Sequence, residues 1–451
     1  MSLRDPAAAE MSLFVRGFVW FGLYILLVAL PAAVAVAVDP FDTPRPALVE
    51  LSVALGLLAF PLLMIQFALV SHLRASSRPF GTDAVVLFHQ YMGFVCLLFV
   101  VAHPLILNLQ GLSWTAWNPV SGTRATQSGA IAALAVVVIV LTTVFRRRLG
   151  VSYEWWQRLH LSIAVAAAVA ILIHVLAVGG YARAVPMRYL LWLYAGMFGS
   201  IVANYRVIRP LRMRGRPWEI VQNRDEGAST RTLRLRPVDH EGFDFEPGQF
   251  AWLVTGPTPW SSQQHPLSIS SSAERAGDRG LEFSVKALGD WSSMVIPCLI
   301  PGTRVWVDGP FGAFTIDRKA GQGFVLIAGG IGIAPFRSML LTMRDRGDRR
   351  HVVLFYAAHD ETRVICRREL EALRDTVALD IVYVFEAPPA DWPGERGLIT
   401  PEILRRHLPT QFHRYGYFVC GPPAMMDAVE AMLMSLGVPS GSIDTERFHV
   451  V

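Results

Sequence analysis

The first half of the chain is written in long apolar stretches separated by short polar loops. Six stretches lie at about residues 14–38, 47–71, 84–108, 128–145, 157–178 and 187–208. A helix needs about 20 apolar residues to cross the hydrocarbon core, so the pattern predicts six membrane-spanning helices, the fourth being the shortest. The rhythm changes after residue 216. Short alternating runs at Trp218–Gln222, Thr230–Arg236, Phe250–Thr255, Leu281–Lys286 and Arg304–Asp308, with turn residues between them, predict a small antiparallel barrel. It changes again at Gly323. Apolar runs of strand length now alternate with helical stretches: Gly323–Ala328 and a helix to Arg346, Val352–Tyr356 and Arg367–Arg374, Asp380–Phe385 and Pro401–Arg406, then Tyr417–Cys420 and a helix through Leu436. Such alternation predicts a parallel sheet with helices on both faces. The expected architecture is a six-span membrane α-helical bundle (1–216), a cytosolic antiparallel β-barrel domain (217–318) and an α/β Rossmann-like nucleotide domain (319–451).

Composition sharpens this picture. The chain is 53% hydrophobic and 17% charged, against about 25% charged in soluble proteins, which excludes an ordinary soluble enzyme and a disordered chain. The net charge of +5 hides a split. Residues 1–216 carry 17 Arg, no Lys and 7 acids; residues 217–451 carry 24 Lys and Arg against 29 acids. The arginines crowd one set of loops: Arg4 and Arg16, Arg74 and Arg78, Arg146 to Arg148 with Arg158, and Arg206 to Arg216. Positive loops stay cytoplasmic, so both termini and the acidic half are expected inside. A cleaved signal peptide is the alternative for the first stretch, although its apolar run is long for one. No basic cluster marks a nucleic-acid face. Cys96, Cys298, Cys366 and Cys420 have neither metal nor disulfide spacing.

Ionisable residues inside spans are rare and usually functional. His89 and His103 lie in the third stretch, His160 and His174 in the fifth. Each pair is separated by fourteen residues, close to four helical turns or about 21 Å, so both imidazoles of a pair share a helix face. The two spans run in the same direction. His89 and His160 therefore share one depth near the cytoplasm, and His103 and His174 share another near the outside. Facing imidazoles at one depth can clamp a haem iron axially. Polar bridging of helices, a histidine metal chain and a proton path are the competing readings. His72 lacks a partner at matching depth and reads as surface.

The barrel region carries Glu246-Pro247-Gly248-Gln249-Phe250, His265-Pro266-Leu267-Ser268-Ile269-Ser270-Ser271, Gly289-Asp290-Trp291-Ser292 after Lys286, and Gly309-Pro310-Phe311-Gly312. Small residues, free amides and a lysine suit a pyrophosphate, and the glycines allow backbone to approach a planar ring. Gly329-Gly330-Ile331-Gly332-Ile333-Ala334-Pro335 then joins a buried strand to a helix N-terminus, the geometry that holds a dinucleotide phosphate.

Together these segments make the whole chain resemble the ferric reductase and NADPH oxidase superfamily, in which a six-span, two-haem domain is fused to a ferredoxin reductase-type flavoprotein module. The resemblance implies FAD held by His265, Pro266, Leu267, Ser268 and Ser270, with Leu267 at a position usually aromatic. It also implies flavin contacts at Gly289, Asp290, Trp291 and Ser292, with Lys286 in place of a common arginine. Gly329, Gly330, Gly332 and Pro335 match the nucleotide motif. Cys420, Gly421 and Pro422 match the segment beside the nicotinamide, where Cys420 has a catalytic role, and Phe448 corresponds to the terminal aromatic over the flavin. Relatives often place an arginine for the 2′-phosphate three residues after the strand-ending tyrosine. Here that residue is His359, beside Asp360, with Arg363 as a substitute. An acid near the ribose favours NADH, and the family pattern tips the expectation to NADPH.

The resemblance implies NAD(P)H-driven electron transfer through FAD and two haem b to an external acceptor, ferric chelate or O2, in a bacterial inner membrane. Tyr181, Arg183 and Asn108 are candidate acceptor-lining residues. The rival readings are a flavin reductase whose spans serve as an anchor or proton path, and a donor to a quinone or periplasmic partner protein.

Overall fold

A computed structural model describes residues 6–38, 40–41, 43–71, 81–274, 280–319 and 321–447. One compact unit runs from Leu13 to Arg209; the residues from Pro210 onward, and those up to Ser12, belong to the other.

The membrane unit contains α1 (Pro6–Val38), α2 (Ala47–Val70), α3 (Gly81–Leu109), α4 (Arg124–Phe145), α5 (Tyr153–Val178) and α6 (Val185–Ala203). By length and composition five of these, α1 to α5, can cross a bilayer. The sixth predicted span is helical, but α6 has only 19 residues and carries Arg188 and Tyr189 near its start, which lowers its apolar content. It runs on through a π turn, Asn204–Ile208, into α7 (Arg209–Arg214). The fourth span is longer than the apolar run suggests. Thr123 accepts a hydrogen bond from the Thr126 amide and starts α4 at Arg124, giving 22 residues. Its first turn is polar, so hydropathy alone misses it. Mainly, α2 packs on α3 and α4 on α5, two helix hairpins. The most buried span is α2, and Phe60, Met64, Met187 and Leu191 are almost wholly enclosed.

The second unit holds two sheets. The antiparallel one comprises β1 (Trp218–Gly227), β2 (Thr230–Pro237), β3 (Phe250–Val254), β4 (Gln264–Ser268), β5 (Leu281–Lys286) and β6 (Arg304–Phe311), in the order β4-β3-β6-β1-β2-β5. An isolated Ile269–Phe283 bridge and the Ser270 amide bonded to the Glu282 carbonyl bring its two edges together. Alternate residues of each strand, including Trp218, Ile220, Leu233, Leu235, Phe283 and Val305, fill the interior.

The parallel sheet comprises β7 (Gly323–Gly329), β8 (His351–Ala358), β9 (Leu379–Phe385), β10 (Glu395–Arg396), β11 (Tyr415–Cys420) and β12 (Ile443–Glu446), in the order β10-β9-β8-β7-β11-β12. On one face lie α8 (Ile333–Arg346) and α9 (Arg367–Leu373); on the other lie α10 (Pro401–His407) and α11 (Pro423–Ser435). The first strand, β7, sits between β8 and β11. The chain therefore winds outward in both directions from it, and a crevice opens at its carboxyl end.

Candidate functional site

In the membrane unit the histidines meet in two pairs. The ring centroids of His89 and His160 are 6.4 Å apart, and those of His103 and His174 are 6.2 Å apart. A metal–imidazole bond of about 2 Å on each side of one iron gives a centroid separation of about 6 Å, so both pairs fit a haem iron between them. Among the described residues no three metal-binding side chains gather; a haem iron needs only two from the protein. His103 Nδ1 lies 2.8 Å from the Ser52 carbonyl, and His174 Nδ1 2.7 Å from the Ala125 carbonyl. A carbonyl only accepts, so both Nδ1 atoms carry the proton and Nε2 is left with its lone pair. Second-shell contacts of this kind orient metal-bound histidine. The Ser52 hydroxyl also donates to the His103 carbonyl at 2.6 Å. The His89–His160 pair is held differently. Thr143 Oγ1 lies 3.4 Å from His160 Nδ1, and the Trp156 ring stands 5.0 Å from the His160 ring. His89 Nδ1 has the Gln66 backbone nearby but no hydrogen bond of good geometry among the described residues.

In the barrel, His265 and Trp291, from two separate motifs, stack with centroids 3.8 Å apart. Trp291 donates to Thr255 Oγ1 at 2.9 Å, which fixes the ring. Burial holds the His265 pKa down at about 4, so its imidazole is neutral. Pro266, Leu267 and Ser268 pair with Trp252, Ala251 and Phe250. Lacking an N–H, Pro266 suits this edge strand. The Ser292 hydroxyl accepts from the Leu288 and Gly289 amides, so it builds its own turn; Asp290 is exposed. Gly312 adopts φ +98, and a Cβ there would meet the Phe250 ring at 3.2 Å and the Glu446 carboxylate at 3.4 Å, so the turn requires glycine. Phe448 lies outside the described residues.

The nucleotide turn and the Cys420 turn touch at the crevice. Cys420, at the end of β11, pairs with Ala328 of β7 and Glu446 of β12. A Cβ on Gly332 would collide with the Cys420 carbonyl, one on Gly329 would meet Pro422 at 2.7 Å, and one on Gly421 would meet Gly329 at 3.0 Å. Gly330 adopts φ +53, and Lys286 Nζ would lie 3.8 Å from a Cβ there. The barrel thus supplies a cation to the nucleotide turn. Pro335 lies in the first turn of α8, where a missing N–H costs nothing. At the end of β8, His359 Nδ1 lies 3.2 Å from Glu386 Oε2. Asp360 caps the Glu361–Arg363 turn by accepting from the Thr362 amide, and its carboxyl is held below the usual range by its bonds to Thr362. Arg363 is exposed nearby.

Sequence patterns do not reveal Arg337. It is 4% exposed and donates from Nη1 to Glu282 at 2.7 Å and to the Ser270 carbonyl at 2.9 Å, and from Nε and Nη2 to Glu369 at 2.5 and 2.9 Å. Burial alone would lower its pKa, but the two carboxylates more than offset that and keep it charged. One side chain therefore ties the flavin motif, through Ser270, to the helix that begins at the nucleotide turn. Tyr181 donates to Glu50 at 2.8 Å, and Glu50 pairs with Arg45. Asn108 closes its own loop, bonding the Leu112 carbonyl and Trp117 Nε1. Arg183 packs against Gly179.

Two family models match the chain. Residues 55–171 match the ferric reductase like transmembrane component, a span that includes His89, His103 and His160, and residues 326–431 match the oxidoreductase NAD-binding domain. Together the two matches are those of a ferric reductase/NADPH oxidase-type fusion. The matches support binding of FAD and a nicotinamide nucleotide and a membrane-associated half. Ferredoxin–NADP reductase B of Sorangium cellulosum is 30% identical over 227 residues, 48% of this chain and 91% of that protein. NADH-cytochrome b5 reductase 1 of Candida albicans is 34% identical over 139 residues, 30% of this chain and 47% of that protein. Among solved structures, the Amycolatopsis cytochrome P450 reductase GcoB aligns with a TM-score of 0.45 and 24% identity over 52% of this chain and 69% of its own. The chain spans 61% and 59% of two further curated relatives, reductase components of xylene/toluene and propane monooxygenases.

Proposed function

We propose that this protein carries electrons from cytosolic NADH, through FAD and two haem b, across a bacterial inner membrane to an external acceptor, ferric chelate or O2. The observation that carries the reading is the meeting of four intramembrane histidines in two pairs at iron-spanning distance. Bound there, FAD supplies the exchange between two-electron hydride and one-electron chemistry, and the haems supply two one-electron centres about 21 Å apart along the helices. The working division is a haem-binding domain at 1–216, a FAD domain at 217–318 and a nucleotide domain at 319–451, with both termini cytoplasmic.

The residues share the work as follows. Gly329, Gly330 and Gly332 let the β7 turn approach a pyrophosphate, and Lys286 neutralises part of its charge. Cys420, Gly421 and Pro422 border the nicotinamide in the crevice. His265, stacked on Trp291, gives the flavin motif a neutral rigid wall; Ser268 ends the same strand and Ser270 lies two residues beyond it. His89 with His160, and His103 with His174, hold the irons. Each pair would offer two imidazoles to one haem, which would supply one-electron chemistry. At the turn after β8, Glu386 lies beside His359 and Asp360 caps the next residues; acids there would disfavour a 2′-phosphate, which supports NADH over NADPH.

The test is purification with FAD, a haem count, and NADH- or NADPH-driven ferric-chelate reduction compared with superoxide-dismutase-sensitive cytochrome c reduction. Two reducible haems per chain are expected, and the double variant His89→Ala/His160→Ala should retain one. Absence of a reducible haem band would sink the proposal.

A further inference from the structure

The outer histidines are anchored by the same four-residue register on two different helices. His103 reaches the Ser52 carbonyl of α2, and His174 the Ala125 carbonyl of α4. Four residues further along each helix stands a glycine, Gly56 or Gly129. Helical side chains lean toward the N-terminus, so the residue at i+4 overhangs the carbonyl at i. Glycine leaves that carbonyl uncovered. A Cβ on Gly129 would lie 2.7 Å from His174 Nδ1, and one on Gly56 would lie 3.3 Å from His103 Nδ1.

The inner level breaks the pattern. Each hairpin is antiparallel, so fourteen residues back along the histidine helix corresponds to fourteen forward along its partner. Ser52 is replaced by Gln66 at the level of His89, and Ala125 by Ile139 at the level of His160. The residues four further on are Val70 and Thr143, and His89 Nδ1 has the Gln66 backbone nearby without a hydrogen bond of good geometry. Thr143 donates its hydroxyl to the Ile139 carbonyl at 2.7 Å and stands between that carbonyl and His160.

We propose that Gly56 and Gly129 are positioning residues that give the outer imidazoles direct carbonyl anchors, which the inner pair lacks, so that the two sites differ electronically through helix backbone rather than ligand identity. This rests on the reading of the four histidines as haem ligands. An Nδ1–H bonded to a carbonyl makes Nε2 a stronger donor and fixes the ring plane, and a stronger donor favours the ferric state.

The experiment is potentiometric titration with low-spin ferric EPR on the full-length protein in detergent. Gly56→Ala, the milder clash, should raise the midpoint potential of one haem, alter one EPR signal and leave the other haem unchanged. Gly129→Ala should do the same more strongly or release that haem alone. Thr143→Gly, which uncovers the Ile139 carbonyl for His160, should lower the midpoint of the other haem. If the wild type holds two haems and Gly56→Ala and Thr143→Gly leave both midpoints and both signals unmoved, the inference is overturned while the function stands. If the wild type holds no haem, the function fails first and this inference with it.

Discussion

Arg337 bonds three partners from a buried position in the two-sheet unit, and its removal has a calculable cost. Replacing it with methionine keeps most of the volume and deletes the charge. Glu282, with 18% side-chain exposure, and Glu369, with 35%, then lose their partner, and the Ser270 carbonyl loses a donor. Removing one member of a buried ion pair costs about 3–5 kcal/mol, chiefly from the stranded charge. Water reaches Glu369 well enough to soften its share, so the lower end applies, about 3 kcal/mol. In a unit of this size 1 kcal/mol moves Tm by about 2–4 °C, which gives a fall of roughly 6–12 °C for the transition of the flavoprotein unit. The assay is thermal unfolding of Arg337→Met followed by released-flavin fluorescence. Adding Glu282→Gln should recover part of the loss, because the stranded charge is gone. A fall below about 2 °C, or no recovery in the double variant, would refute the view that this cation ties Ser270 to α8.

Other outcomes follow from the same geometry. His265 is buried with its pKa near 4, below the unfolded value near 6.5, so the unfolded chain binds the extra proton first. Stability should therefore fall as pH drops from about 6.5 to about 4 and level off below, by about 3 kcal/mol in all; His265→Gln should flatten that window in pH-dependent melting, and an unchanged profile would contradict a neutral buried imidazole. With Glu386, Asp360 and Glu361 around His359, kcat/KM should favour NADH over NADPH by about tenfold, about 1.4 kcal/mol, and Glu386→Ala should narrow the gap; NADPH preference in the wild type would reverse the assignment. Gly332→Ala drives a Cβ into the Cys420 carbonyl and should abolish flavin reduction by NADH while bound haem stays at wild-type levels.

The histidine pairs were legible because fourteen residues is nearly a whole number of turns, so one-dimensional spacing carries three-dimensional facing. The barrel strands were legible where apolar and polar residues alternate, as in Leu281–Lys286. The strand Gln264–Ser268 was hidden because it holds a proline and few apolar residues, which an edge position permits. Ile443–Glu446 was hidden for a related reason: as the last strand of its sheet it needs only partial cover and reads as polar. Arg337 was invisible because its partners lie 55 and 32 residues away. Gly56 and Gly129 looked like filler in apolar helices, since nothing local marks which carbonyl they expose. Thr143 likewise reads as a tolerated hydroxyl until its two neighbours are known.

The strand order of the nucleotide sheet also dictates a timetable. Its central strand, β7, pairs with β11, so Gly323 must wait for Tyr415, and Cys420 must wait for Glu446. Contacts this distant along the chain form late. The two membrane hairpins need only neighbouring helices and can close while the ribosome is still translating the rest. The histidine pairs can thus be set in place while the crevice that would receive the nucleotide does not yet exist. The paired imidazoles therefore precede the crevice, which is complete only once the strand ending at Glu446 has been made.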